Sequence, residues 1–372
     1  MSRKFRLGQS REAQDLDHRE AYSGERAADS KRRQRRAERI ETGIEAHDSE
    51  SMLRLPDPGP WSHLPEATLV QRHSQWVDLQ LADHSLLRAT LGGKLKGVHL
   101  VCGDRVRYAP LPLEATDARG PQAQVVAVMP RRTLLKRGGI DDREPWQLIC
   151  ANADELWICA AVVDPPLRPG LLERALVLAL DAGLAFRIIV TKRDRASKKD
   201  PLPELDPLRE QGLAVHETSA LQGEGLAPLH GLLEDRVVVL LGHSGVGKST
   251  LVNALRPDTD LKTGVLTKFG TGKQTTTAAR WLPLAPAGQR GGGILVDTPG
   301  IRTLSVRGFD RALLGRVFPE FPAEVLADPL AFDPDDDETL DRLDLAYPER
   351  LQSLQRLWQE MDDRNPNQNV WR

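Results

Sequence analysis

Val237-Val238-Val239-Leu240-Leu241-Gly242-His243-Ser244-Gly245-Val246-Gly247-Lys248-Ser249-Thr250 is the stretch on which the fold turns. Its apolar first half reads as a buried strand. Residues 242–249 then match G-x-x-x-x-G-K-[ST], a loop whose backbone N–H groups cradle phosphate oxygens. A helix is expected from Lys248, and its N-terminus adds partial positive charge to the same place. The backbone of Gly242, His243, Ser244, Gly245, Val246 and Gly247 is therefore expected to wrap a nucleotide's phosphates. Lys248 is expected on the β- and γ-phosphates, Ser249 on Mg²⁺, and Thr250 near an α-phosphate oxygen. A chance match in a glycine-rich turn is the alternative, and the strand–loop–helix setting argues against it.

Reading outward, strands and helices alternate. Leu156–Val163, Phe186–Val190, Leu213–His216, Trp281–Leu284 and Ile294–Val296 are apolar runs suited to strands buried on both faces. Gly170–Ala182 and Leu226–Leu233 have helical spacing. Such alternation predicts a mostly parallel, doubly wound α/β sheet with ligands at the strands' carboxyl ends. Thr191-Lys192-Arg193-Asp194 follows one strand, Ser219-Ala220 follows the next, and Asp297-Thr298-Pro299-Gly300 ends another. A carboxylate at Asp194 can accept N1–H and the exocyclic N2–H of guanine, which adenine does not offer. Thr191 belongs to this base-reading loop, Lys192 is expected along the base plane, and the backbone of Ser219 and Ala220 is expected to donate to O6. These are the parts of a GTPase, but the base-reading elements come before the P-loop instead of after it. The domain is thus read as circularly permuted.

Asp297 sits where P-loop enzymes need a Mg²⁺-linked carboxylate, held directly or through water. The Gly300 N–H is expected to sense the γ-phosphate. Between these motifs lies Gly270-Thr271-Gly272-Lys273-Gln274-Thr275-Thr276-Thr277. One threonine of this loop is expected to bind Mg²⁺ and order the loop in the GTP state. Thr276 is the central one, and the sequence leaves the choice open. No glutamine follows the Asp297–Gly300 motif, so Gln274 stands as the candidate to orient the attacking water; a solvent-facing loop residue is the equal alternative.

At 372 residues, with hydrophobic content of 40% and charged content of 28%, the chain has the composition of a globular protein of two or three domains. Three cysteines without paired spacing argue against a disulfide framework, and no apolar run approaches the roughly 20 residues of a membrane span. A cytoplasmic protein without membrane attachment is expected. Residues 1–65 are poor in apolar side chains, carry the basic block 31–39, and read as a disordered arm, either a solvated tail or a binder of RNA phosphates. Within 66–132, Leu69-Val70, Trp76–Leu81, Gly97–Val101, Arg105–Tyr108 and Gln124–Val128 read as the strands of a small OB- or SH3-like barrel. The GTPase domain is placed at 145–318. Residues 319–372 are expected to be helical, with an acidic loop over 328–344 and an apolar stripe at Leu351, Leu354, Leu357, Trp358 and Met361 that packs as core.

The permuted order, the barrel and the basic arm, together with Gly103-Asp104-Arg105-Val106, Ala151-Asn152-Ala153-Asp154, Gly242–Ser249, Thr275-Thr276-Thr277 and Asp297–Gly300, make the chain resemble the small-ribosomal-subunit biogenesis GTPase RsgA (YjeQ) family. The likeness runs from about residue 66 to 318. It implies an rRNA-binding OB-fold, GTP hydrolysis with Mg²⁺, and a late maturation role on the 30S subunit and its 16S rRNA, whose binding stimulates turnover. Two departures stand out. The family's usual His before the three threonines is replaced by Gln274. Residues 319–372 hold neither Cys nor His, so the family's Cys₃His zinc site is not expected.

The readings kept beside this one are a P-loop ATPase or kinase, and an RNA-binding adaptor with weak or no hydrolysis. Asp194 speaks against the first; Lys248, Ser249 and Asp297 speak against the second. A paralogue with another RNA target remains open, and a monomer is expected.

Overall fold

The computed structural model describes residues 55, 59–95, 97–112, 120–141, 144–196, 202–256, 279–284, 292–298, 304–343 and 347–362. The basic block, Gln274, Thr275–Thr277, Pro299 and Gly300 lie outside the described residues.

Five strands, β1 (Glu66–Arg72), β2 (Val77–Gln80), β3 (Leu86–Leu91), β4 (Arg105–Pro110) and β5 (Ala123–Val128), close into a barrel in the order β1-β2-β3-β5-β4. All pairs are antiparallel except β3 with β5. Closure leaves no free sheet edge, and this five-stranded arrangement is that of an OB-like barrel. Alternate residues point inward, so Leu69, Val77, Leu79, Val106, Val125 and Val128 fill the interior. One expected strand is corrected. Gly97–Val101 is a succession of tight turns, with Val98 N donating to Leu95 O (3.0 Å) and Leu100 N to Val98 O (3.1 Å). The strand is instead Leu86–Leu91, of which only Ala89 is fully enclosed. Its apolar residues lie mostly at the barrel's margin, so the alternation that betrays a strand is faint.

A second sheet has six strands: β8 (Glu155–Ala161), β9 (Ala185–Thr191), β10 (Ala214–Glu217), β11 (Val237–Leu241), β12 (Arg280–Pro283) and β13 (Ile294–Asp297). Their order is β10-β9-β8-β11-β13-β12, parallel throughout except for β12. The chain runs outward from β8 to β10, then returns to the other side of β8 as β11. The crevice between the carboxyl ends of β8 and β11 is therefore a topological switch point. Period-two alternation divides β8 between two cores. Leu156, Ile158 and Ala160 join the face covered by helix α1 (Pro169–Ala182), while Trp157, Cys159 and Ala161 meet α3 (Leu226–Leu233) and α4 (Lys248–Ala254). A short helix α2 (Asp206–Glu210) precedes β10.

An antiparallel pair, β6 (Leu134–Asp141) and β7 (Glu144–Ala151), connects barrel and sheet. The sequence does not announce it, because register shifts at Leu135/Lys136 and Gly138/Asp141 break the two-residue period. The C-terminal segment contributes α5 (Leu314–Val317), α6 (Ala323–Ala327), α7 (Asp337–Leu343) and α8 (Glu349–Glu360). The apolar stripe of α8 is core, as expected: Leu351, Leu354 and Leu357 are fully buried in the same cluster as α1. The acidic stretch is not wholly a loop, since it contains α7. Asp336 starts that helix by accepting the Thr339 N–H (2.9 Å) and hydroxyl (2.7 Å), and Asp337 and Glu338 complement the helix dipole. Among the described residues no helix is long and apolar enough to cross a membrane.

Candidate guanine-nucleotide site

The P-loop forms where β11 runs out. The pairing of Leu241 with Ile158 delivers Gly242 to the carboxyl end of β8. There Gly242 has no room for a side chain, because a Cβ would lie 2.4 Å from the Cys159 carbonyl oxygen. Gly245 (φ 86°) and Gly247 (φ 94°) turn the backbone through the left-handed region that glycine tolerates. Gly247 then caps the N-terminus of α4, which begins at Lys248. Ser244, Gly245, Ser249 and Thr250 are exposed, whereas the Lys248 side chain is drawn inward. Its ammonium group donates to Gly242 O (2.7 Å) and His243 O (3.1 Å).

Burial lowers the pKa of Lys248, against opposing pulls from Cys159 and Asp297. Asp297 ends β13 beside Leu240 of β11 and Arg280 of β12. Burial raises its carboxyl group above the ordinary range, against the attraction of Lys248 and Arg280. The same setting pushes the Cys159 thiol up to about 12, first through burial. A buried cation and a half-buried anion, each disfavoured in its charged form by burial, suit a site that takes up a multivalent anion with its metal. The next residue, Thr298, is buried and donates from Oγ1 to Leu240 O (2.7 Å), which holds the end of β13 against the P-loop strand.

The residues expected to read the base reach this site from β9 and β10. Thr191 is buried, and its hydroxyl donates to the carbonyl of Val246, so the loop that follows β9 rests directly on the P-loop. Lys192 is left-handed (φ 58°) and its ammonium group donates to the carbonyls of Val163 and Asp164. This stretches its aliphatic stem across the mouth of the crevice. Ser219 is fully buried and donates from Oγ to Asp194 Oδ1 (2.6 Å). Reciprocal backbone bonds between Ser219 and Glu224 close the loop that carries Ser219 and Ala220. Arg193, the variable position of the motif and one that sequence reasoning passes over, is buried and pairs through Nε with Glu217 Oε2 (2.7 Å) at the end of β10. Its N–H also donates to Thr218 O (3.1 Å). Nothing in a four-residue motif marks that position, because its partner lies on a different strand.

The structure thus gathers Thr191, Lys192, Asp194, Ser219 and Ala220 with the P-loop and Asp297 along one edge of the sheet. Gln274, Thr276 and Gly300 lie outside the described residues.

A family model described as RsgA GTPase matches residues 128–307. The chain is 34% identical over 240 residues to the small ribosomal subunit biogenesis GTPase RsgA of Gemmatimonas aurantiaca, an alignment spanning 63% of this chain and 75% of that one. Two solved structures share the fold. One is YjeQ from Thermotoga maritima (TM-score 0.57, 24% identity, 81% of this chain and 99% of that one). The other is YloQ, titled a circularly permuted GTPase (TM-score 0.52, 20% identity, 83% and 98%). With a relative of this identity matched over three quarters of its length, and a switch-point site assembled in permuted order, the chain belongs to the RsgA GTPase family.

Proposed function

We propose that this chain binds guanine nucleotide in the crevice between β8 and β11, hydrolyses GTP with Mg²⁺, and acts in maturation of the small ribosomal subunit. The observation that carries the reading is the contact between its two halves: the hydroxyl of Thr191, in the base-reading loop, donates to Val246 in the phosphate loop. The residues fit a nucleotide's phosphates and their metal. Gly242 lets the loop pass against β8, where a Cβ would collide with the Cys159 carbonyl oxygen, Ser249 offers an exposed hydroxyl, and Asp297 offers a carboxylate held among cations.

Mg²⁺, when bound, supplies positive charge to the phosphate oxygens, with Ser249 and Asp297 as its protein partners and Thr276 as the proposed third. Lys248 exchanges its bonds to loop carbonyls for phosphate oxygens, and α4 contributes its N-terminus. Asp194, held by Ser219, accepts the guanine N1–H and N2–H, while Lys192 covers the base. Gln274 orients the attacking water and Gly300 reads the γ-phosphate. Asp194 favours guanine over adenine and so supports a GTPase above an ATPase. The barrel at 66–132 is the proposed rRNA-binding part, and the ribosomal partner follows from the names of the relatives.

Steady-state GTP turnover with and without purified 30S subunits tests the reading. Turnover that rises with the subunit and disappears in Lys248→Ala supports it. A rate indifferent to 30S removes the ribosomal assignment, and tight ADP binding with weak GDP binding removes the guanine site.

A further inference from the structure

Two runs that the nucleotide chemistry leaves unused, Gly103-Asp104 in the barrel and Ala151-Asn152-Ala153-Asp154 ahead of β8, meet in space. We propose that Asn152 is a positioning residue which, with Asp154, makes the barrel and the nucleotide site one cooperative body, so that nucleotide occupancy is felt in the barrel. The inference rests on the guanine-nucleotide reading above.

Gly103 is left-handed (φ 90°), and a Cβ there would lie 2.0 Å from the Ala151 carbonyl oxygen, so only glycine permits this approach. Its N–H donates to Leu69 O (2.8 Å) of β1, and Leu69 N returns a bond to Asp104 O (2.8 Å), anchoring the turn in the barrel wall. Asp104 is fully buried and accepts from Arg131 Nε (2.7 Å), Arg131 Nη2 (2.9 Å) and Val101 N (2.8 Å). The turn is therefore fixed on the barrel side.

Asn152 engages it from the other side. It is itself left-handed (φ 56°), a conformation that Asn tolerates better than most residues. Its Nδ2 donates to Gly103 O (2.8 Å), its Oδ1 accepts from Arg132 N (2.8 Å), and its backbone N–H donates to Thr133 O (2.8 Å). Two residues on, Asp154 grips the strand that leads to the P-loop. Its N–H donates to Val237 O (2.8 Å), its Oδ2 accepts from Val237 N (2.7 Å), and its Oδ1 accepts from Arg132 Nη2 (2.7 Å). Val237 opens β11, whose last residue, Leu241, leads directly into Gly242. Barrel wall, joint and phosphate loop thus form one hydrogen-bonded succession. Further polar ties between the barrel and the nucleotide domain, among them Ala151 N donating to Cys102 O (2.9 Å) and Trp281 Nε1 donating to Gln80 Oε1 (2.9 Å), do not use the Asn152 side chain.

Amides in a barrel that opens only together with the nucleotide domain gain protection from a ligand of that domain by a factor of 1 + [GDP]/Kd. Hydrogen exchange by mass spectrometry on the full chain reads this directly, with GDP at 100 times its Kd. In the unaltered chain, the slowest amides of β1, β4 and β11 should all slow by about 100-fold. In Asn152→Gly, which keeps the backbone conformation but loses both side-chain bonds, β11 should keep its protection while β1 and β4 lose most of theirs. Asn152→Asp retains the acceptor for Arg132 N but not the donor to Gly103 O, and should fall between. Gln80→Ala should leave barrel protection in place. Equal barrel protection in the unaltered chain and Asn152→Gly would overturn the inference. So would a barrel indifferent to GDP in the unaltered chain; if β11 is indifferent as well, the nucleotide reading falls with it.

Discussion

At the residue scale, the hydroxyl of Ser219 orients the carboxylate of Asp194, the group proposed to read the base. A buried serine donating at 2.6 Å fixes the rotamer of Asp194 before any ligand arrives, so little side-chain entropy is lost on binding. Asp194→Asn replaces an anionic acceptor by an amide that presents a donor to one guanine N–H. Loss of a charge-assisted hydrogen bond, about 1.5–3 kcal/mol, should weaken GDP binding by roughly 10- to 150-fold, measured by titration of a fluorescent GDP analogue. Asp297 leads to a prediction of opposite sign for stability and activity. Its carboxyl pKa is raised in the folded state, so its stability contribution is fully present below the ordinary carboxylate value and is lost as pH rises from there through the raised value. At pH 7 the ionised group opposes folding. Asp297→Asn should therefore melt no lower than the parent in the absence of nucleotide, while Mg²⁺-dependent turnover falls by about 100-fold, the scale of one lost transition-state contact. A melting temperature several degrees lower would show that the carboxylate is structural.

At the element scale, α8 is held by both halves of its amphipathic character. Burial of Leu351, Leu354 and Leu357 supplies about 1.5–3 kcal/mol per side chain. Arg350, also buried, spans Glu173 Oε1 (3.1 Å) on α1, Val317 O (2.8 Å) at the end of α5, and Glu320. Glu173 is almost wholly enclosed, and burial raises its pKa despite this partner. Arg350→Met should cost about 3–5 kcal/mol in urea unfolding, because it strands a buried acid, and Arg350→Met with Glu173→Leu should recover most of that. An undiminished loss in the double variant would place the stabilisation in the packing of the guanidinium against Phe318, 4.5 Å from its ring, instead of in the pair. Next to Glu173 on α1, Arg174 pairs with Glu360 (2.6 Å) at the end of α8, whose other oxygen accepts the Val306 N–H (3.0 Å). The segment that follows Asp297 is thereby tied to the last helix.

At the scale of the whole molecule, one face of the six-stranded sheet is covered by α1, by residues 304–321 and by α8 in a single apolar cluster. Removing residues 304–372 should leave that cluster open to water and yield an aggregated product, measured as loss of the soluble fraction; a soluble truncated chain that binds GDP would show that the nucleotide domain ends before Leu304. How much of this was legible beforehand follows from the range of each interaction. The P-loop, the buried parallel strands and the stripe of α8 are written in short windows, where a period of two or 3.6 residues and a fixed glycine spacing express local sterics. The permuted order, too, is visible as the sequence of motifs along the chain. Contacts between distant residues are not written there: the bulged β6–β7 pair, the strand at Leu86–Leu91, the seat of Arg193 on Glu217, and the meeting of Gly103 with Asn152. The sequence by itself determined the order of the motifs along the chain and the buried parallel strands that carry them. Only the tertiary structure decided how the barrel is joined to the P-loop strand, because that joint is made by side chains and carbonyls that become neighbours when the sheet and barrel are complete.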